Sequence, residues 1–158
     1  MNRLDSLHID QPYIALFGSG NSVNALSQEA FDFIKSKAFV ITLNYGPIRV
    51  KGHLNMWSDR KVSDFLNKHY EEHPKECMLL AQENRLVGSL RDKVDFQFNR
   101  RVEGLKGNYT IVWALQLLKK YFPDKTILLF GVDMYAPDNK LGKWYDQFTD
   151  FDYKKRGA

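Results

Sequence analysis

Tyr13-Ile14-Ala15-Leu16-Phe17-Gly18-Ser19-Gly20-Asn21-Ser22 decides the fold. Its first half is a continuous apolar run, the pattern of a strand buried on both faces. Its second half is a turn with two glycines and two hydroxyls. Just beyond it, Ser27 to Lys37 reads as a helix, with Leu26, Ala30, Phe33 and Ile34 on one face and Ser27 as N-cap. A buried strand, a glycine turn and a helix make the opening of a βαβ unit.

The pattern recurs outward from that unit. Phe39–Leu43 is a second apolar strand, ending at Asn44. His53–Trp57 is a third, ending at Ser58-Asp59, and a helix follows over Val62 to Glu72. Cys77–Ala81 is a fourth strand. Val94–Phe98 alternates like an edge strand. Asn108 to Phe122 is the clearest helix, with Ile111, Leu115, Leu118 and Phe122 in its stripe and Pro123 as its stop. Thr126–Phe130 is the last buried strand, ending at Gly131-Val132-Asp133. Strands alternating with amphipathic helices predict an α/β fold: a Rossmann-like three-layer sandwich with a mostly parallel sheet of about five strands. Residues 1–158 are expected to form a single nucleotide-binding domain with an irregular tail from about Met134.

Composition narrows the function classes. The chain has 158 residues, with 23 basic and 19 acidic side chains, a net charge of only +4. No zinc-finger, RRM or basic-helix pattern accompanies the weak positive bias, so nucleic acid is not the expected partner. The single cysteine, Cys77, excludes an internal disulfide framework and reads as a small buried hydrophobe. No apolar run reaches the ~18–20 residues of a membrane helix, so no membrane span is expected. Met1 to Gln11 carries Arg3, Asp5, His8 and Asp10 and lacks a secretory apolar core, so a cytoplasmic protein is expected.

In parallel sheets ligands bind beyond the carboxyl ends of the strands. There the sequence sets Gly18, Ser19, Gly20, Asn21 and Ser22, then Asn44, Ser58 and Asp59, then Asn108 and Thr110 at the start of the long helix, then Asp133 and Tyr135. Glycines allow close backbone approach, and N–H groups and hydroxyls can hold a phosphate. Each residue also has a structural use: Asn44 in a left-handed turn, Asp59 and Asn108 or Thr110 as caps, Asp133 ordering its own loop. A dinucleotide fingerprint is excluded. Val23 stands where its third glycine would be, and Asn44 where its acidic residue would be. No Gly-Lys-Ser/Thr follows, so the turn is no P-loop. The set is neutral hydrogen bonders with few charges, which suits a base and ribose beside one phosphate.

These segments, with Gly107-Asn108-Tyr109-Thr110 and Leu129-Phe130-Gly131-Val132-Asp133-Met134-Tyr135, resemble a Rossmann-like group of bacterial and phage glycosyltransferase-type proteins. The well-described branch is the Campylobacter-type sialyltransferase family. Motility-associated and pterin-pyrophosphokinase-like proteins share a similar layout. The resemblance runs over about residues 13 to 146. It implies a nucleotide-sugar donor, CMP-type, and a glycan or glycoconjugate acceptor, with no cofactor and no required metal. It implies nucleotide contacts from Ser19, Gly20, Asn21 and Asn44, with Asn108 and Thr110 flanking; Gly18, Ser22 and Asp133 complete the expected nucleotide-binding set. It implies that Tyr135 and Tyr145 face the donor phosphate and assist the leaving group.

The family carries a lid with a histidine base. Here no histidine follows His73, so a domain short of that part is expected, and Asp59 is the candidate base. Where the family often has Gly-Pro-Ser, this chain has Gly20-Asn21-Ser22. His69 and His73 stand at i, i+4 without an evident third ligand, and Asp150-Phe151-Asp152 has an Asp-x-Asp form but lies in the tail. The alternatives are a magnesium-dependent pterin-type diphosphotransferase and a non-catalytic nucleotide-binding or assembly module. The aromatic tail (Trp144, Tyr145, Phe148, Phe151, Tyr153) suits burial in a homo-oligomer.

Overall fold

The computed structural model describes residues 3–133. Tyr145, Tyr135 and the Asp150–Asp152 pair lie outside the described residues. Six strands form one sheet: β1 (Tyr13–Phe17), β2 (Ala38–Leu43), β3 (Leu54–Trp57), β4 (Met78–Gln82), β5 (Phe96–Phe98) and β6 (Thr126–Phe130). Their order is β5-β4-β3-β2-β1-β6, and every neighbouring pair is parallel. The architecture is the expected α/β Rossmann-like sandwich, with one strand more than the approximate count.

A parallel sheet requires each strand to return off the sheet, and right-handed crossovers fix the side. From β1 to β5 the chain steps in one direction. From β5 to β6 it steps back across the whole sheet. Opposite directions require helices on opposite faces. Accordingly α1 (Gln28–Lys37) and α2 (Arg60–Lys68) cover one face, and α4 (Thr110–Tyr121) covers the other. The short α3 (Arg100–Glu103) precedes α4 and is tied to it, because Glu103 accepts hydrogen bonds from Lys120 Nζ (2.6 Å) and the Tyr121 hydroxyl (2.7 Å).

Each core layer follows from strand alternation. Ile14, Leu16, Ile41, Leu54, Met56 and Leu80 face α4, where Trp113, Ala114, Leu117 and Leu118 meet them along with the N-terminal Leu4 and Leu7. Ala15, Phe17, Val40, Trp57 and Ala81 face Phe31 of α1 and Val62, Phe65 and Leu66 of α2. Trp57 is fully buried, and its indole N–H donates to Ser63 Oγ of α2 at 2.7 Å. Trp113 donates its indole N–H to the Gly107 carbonyl at 2.9 Å, which fixes the entry to α4.

Several details differ from the sequence reading. The helix expected over Val62 to Glu72 ends at Lys68, with a separate 3-10 turn at Tyr70–Glu72, and of the expected α4 stripe Leu118 alone is buried, Trp113, Ala114 and Leu117 taking the core positions. Phe33 is 65% exposed; the buried position of α1 is Phe31, two residues earlier and so about 200° away around the helix. Thr126–Phe130 is an edge strand, with Leu128 and Leu129 exposed on opposite faces, because among the described residues only β1 flanks it. An apolar run of that kind resembles a central strand in sequence. The N-cap of α4 is Tyr109, not Asn108 or Thr110, and it makes no side-chain cap bond. The Ser27 cap holds: its Oγ accepts the Ala30 N–H at 3.1 Å. Cys77 is buried, and burial pushes its thiol up to about 12, leaving it unreactive. Among the described residues no helix is long and apolar enough to cross a membrane.

His53 sits just before β3 and bridges to β2. Its backbone N–H donates to the Val40 carbonyl at 2.8 Å, and its Nδ1 accepts the Val40 N–H at 2.8 Å. Burial, with a smaller contribution from the Lys35 charge, holds its pKa below the ordinary histidine value. A folded-state base with a lowered pKa costs nothing at neutral pH. Below the unfolded value of ~6.5 the unfolded chain binds the proton more readily, so stability falls with acidification. Protonation at Nδ1 also removes the acceptor for Val40. Urea denaturation near pH 7.5 and near pH 5.5 is expected to show that loss, and His53→Gln is expected to reduce the difference between the two curves. Separately, Ser63→Ala strands the buried Trp57 N–H and is expected to cost about 1–3 kcal/mol by urea denaturation at neutral pH.

Candidate functional site

The reversal of strand order lies between β1 and β6, so the carboxyl ends of those two strands flank the crevice that such sheets offer to ligands. The Gly18–Ser22 turn follows β1, and Gly131–Asp133 follows β6. The two segments are locked together. Gly18 N–H donates to the Phe130 carbonyl at 2.8 Å, and Gly20 N–H to the Gly131 carbonyl at 2.7 Å. The Asp133 carboxylate accepts the Ser22 backbone N–H at 2.9 Å and the Ser22 hydroxyl. A Cβ on Gly20 would meet the Asp133 carboxyl carbon and the Gly131 oxygen at 2.5 Å. Glycine is therefore required at position 20 by close approach to β6.

That arrangement changes what the turn offers. The N–H groups of Gly18, Gly20 and Ser22 and the Ser22 hydroxyl are already donated within the protein. Asn21 Oδ1 accepts from Asn24 Nδ2 at 2.7 Å. A 3-10 turn (Asn21–Ala25) follows directly, so the glycine turn does not open onto the N-terminus of α1, which Ser27 caps separately. Asp133 orders the loop after β1 as well as its own. Ser19 is half-buried within the turn.

The carboxyl ends of β2, β3 and β4 are differently equipped. Asn44 follows β2 with φ of +56°, the left-handed region that asparagine tolerates better than most residues. Two buried side chains hold it there. Asn55, fully buried in β3, donates from Nδ2 to the Asn44 carbonyl at 3.0 Å, and its Oδ1 accepts the Thr42 hydroxyl at 2.9 Å. The Asn44 Oδ1 is buried and has no hydrogen-bond partner among the described residues. Ser58, just past β3, shares a hydrogen bond of 2.7 Å with the Thr110 hydroxyl at the first position of α4. Gln82, the last residue of β4, is 8% exposed. Its Nε2 donates to Asn84 Oδ1 at 2.7 Å, and its Oε1 is buried without a partner among the described residues.

Register brings these groups together. Trp57 pairs with Ala81, so Ser58 and Gln82 are the next neighbours across β3 and β4, on the sheet face that carries α4. Leu43 pairs with Met56, which sets Asn44 beside Trp57 at the same edge. The result is a set of neutral acceptors and hydroxyls along one edge, with Ser58, Thr110 and Gln82 on the α4 side and Asn44 level with Trp57, which faces α1 and α2. Buried polar groups are normally paired, and a lost partner costs ~1–3 kcal/mol. Two amide oxygens at the ligand edge of a parallel sheet, without partners among the described residues, therefore call for donors from outside them, a bound molecule or water included.

Asp59 occupies the N-cap position of α2 but makes no side-chain cap bond, and it is exposed beside Ser58. Its carboxylate is thus not consumed by the helix. Asn108 is exposed ahead of Tyr109. Among the described residues no three His, Cys, Asp or Glu side chains gather as a metal site. Of the sequence candidates, Gly18, Gly20, Ser22 and Asp133 form one cluster at β1 and β6. Asn44, Asp59 and Thr110 lie at the ends of the neighbouring elements. Gln82 and Asn55 were missed. Gln82 stands one residue past the expected end of the fourth strand, so the strand-end rule that picks out Asn44 also picks it out. Asn55 had a weaker signal, a lone amide inside an apolar strand.

No family model matches the chain, and no curated protein matches it.

The Asp133 clamp is testable apart from any ligand. Asp133→Ala removes a charge-assisted pair of hydrogen bonds and is expected to cost about 1.5–3 kcal/mol in thermal or urea unfolding. Ser22→Ala is expected to cost less, since the Ser22 N–H bond to the carboxylate survives.

Proposed function

We propose that the protein is a glycosyltransferase, sialyltransferase-like, that binds a nucleotide-activated sugar along the carboxyl edge of its sheet. The observation that carries this reading is that two buried oxygens at the strand ends, Asn44 Oδ1 and Gln82 Oε1, have no partner among the described residues, at the same sheet edge as the Ser58–Thr110 hydroxyl pair. Acceptor oxygens select groups that donate. The exocyclic amino group of a base and the hydroxyls of a ribose are such groups, and a CMP-type donor supplies both. The resemblance of the strand-end segments to the sialyltransferase family supports the same reading.

Transfer proceeds by displacement at the anomeric carbon. The acceptor hydroxyl oxygen, on a glycan or glycoconjugate, forms the new bond to that carbon as the bond to the donor phosphate breaks. Asp59 takes the acceptor proton, since its carboxylate is exposed and free of the helix cap. Tyr135 and Tyr145 donate hydrogen bonds to the departing nucleotide phosphate. The residues proposed to hold the donor are Asn44, Thr110 and Asn108, to which Gln82 is added; the Gly18–Ser22 turn, whose donors go to Asp133 and β6, borders the site. Neither a metal nor another cofactor takes part. A cytoplasmic location and a homo-oligomer belong to the same proposal.

The Asp133 carboxylate favours one alternative, a nucleotide-binding module without catalysis. It occupies donors of the turn that a phosphate would use.

Calorimetry with CMP, UDP, GDP and ATP, each with and without magnesium, tests the reading. CMP is expected to bind without magnesium. Asn44→Gly keeps the left-handed backbone and removes the amide; Gln82→Met keeps the volume and removes the oxygen. Each is expected to weaken CMP binding about tenfold. No binding to any of the four nucleotides overturns the proposal. Magnesium-dependent ATP binding points instead to diphosphate transfer. CMP binding with no hydrolysis of a CMP-activated sugar, and no transfer from it, leaves the binding module.

A further inference from the structure

The opposite face of the sheet holds a cavity that the proposed reaction does not use. It has a volume of about 280 Å³ and lies between α1 and residues 48–51. Its origin is topological. The connection from β2 to β3 contains no α-helix, only a 3-10 turn (Gly46–Ile48), so no second helix packs beside α1 over β2. The side chains of Phe17, Phe31, Val40 and Val50 line the gap left there.

The rim is cationic. Lys35, Arg49 and Lys51 line the opening against a single carboxylate, Asp32. Asp32 is engaged by Gln28, whose Nε2 donates to its Oδ1 at 3.0 Å. Lys35 and Lys51 have no carboxylate partner among the described residues. Arg49 is held in place: its Nη2 donates to the Leu26 carbonyl at 3.2 Å, and its guanidinium lies 4.8 Å from the centre of the Phe31 ring. A guanidinium has five N–H donors, so one anchored bond leaves others for an anion.

We infer that this cavity is a binding site for a small amphipathic carboxylate, its apolar ring or chain against Phe17, Phe31 and Val50 and its carboxylate toward Arg49, Lys35 and Lys51. The volume is just under the ~300–1,000 Å³ of pockets for drug-sized ligands, so the ligand is smaller than those. An α-helix, ~10–12 Å across with its side chains, does not fit. The charge balance selects an anion, and the apolar lining selects a hydrocarbon body over a bare inorganic ion. Phe17 immediately precedes the Gly18–Ser22 turn and stacks on Phe130 of β6 at 4.8 Å. A ligand in the cavity therefore touches the strand that carries the turn.

The test is an amide chemical-shift titration of the full chain with benzoate, with benzyl alcohol as the neutral control. Benzoate is expected to give saturable shifts confined to the amides around Phe31, Ile34 and Arg49 to Lys51. Benzyl alcohol is expected to bind at least fivefold more weakly. Lys35→Glu with Lys51→Glu reverses two exposed rim charges and is expected to weaken benzoate about tenfold while the fold is kept. Shifts that stay linear or scatter over the surface overturn the inference. So does equal binding of the alcohol, or benzoate affinity unchanged in the double variant. None of these results depends on nucleotide binding.

Discussion

Asp133 ties the turn after β1 to the turn after β6. Its carboxylate takes the Ser22 N–H and hydroxyl, while the Gly20 N–H reaches the Gly131 carbonyl across the same gap. This contact closes the place where strand order reverses, the point at which a parallel sheet ordinarily opens to a ligand. With that place closed by an internal carboxylate, the open hydrogen-bonding capacity falls further along the edge, over β2, β3 and β4. The glycines serve the clamp, and the amides beyond it are the groups proposed to meet the ligand.

The set at Asn44, Ser58 and Gln82 is held from beneath by polar groups that a core would otherwise exclude. Asn55 and Thr42 are both fully buried and bonded to each other, and Asn55 reaches the carbonyl of Asn44. A buried polar pair gives little stability over an apolar one, but it fixes geometry, because each alternative placement strands a donor or acceptor. Here the geometry fixed is the left-handed turn at Asn44. Thr110 extends the same support from the opposite layer, since its bond to Ser58 ties the first turn of α4 to the edge of β3.

The strands and most helices were legible because burial on both faces writes itself as continuous apolar runs, as in Ile14–Phe17 and Phe39–Leu43. Local signals also read well: the Ser27 cap and the stop at Pro123 depend on neighbours in sequence. What failed depended on neighbours in space. Thr126–Phe130 has the composition of an interior strand, yet it lies at the edge, and no local pattern distinguishes the two. Phe33 and Phe31 are both apolar positions in α1, and only the packing of β1 and β2 decides which is covered. At the site, strand ends could be located but not their occupancy. That the Ser22 donors go to a residue 111 positions away could be known only once β6 was set beside β1. The same holds for the buried oxygen of Gln82, which has no partner among the described residues.

If the amides at the ends of β2 and β4 form the proposed ligand edge, a crystal structure of the protein with CMP will show donor groups of the nucleotide within hydrogen-bond distance of Asn44 Oδ1 and Gln82 Oε1, with the Asp133–Ser22 bonds intact. Ordered waters on both oxygens, with CMP bound elsewhere or absent at saturating concentration, would contradict it.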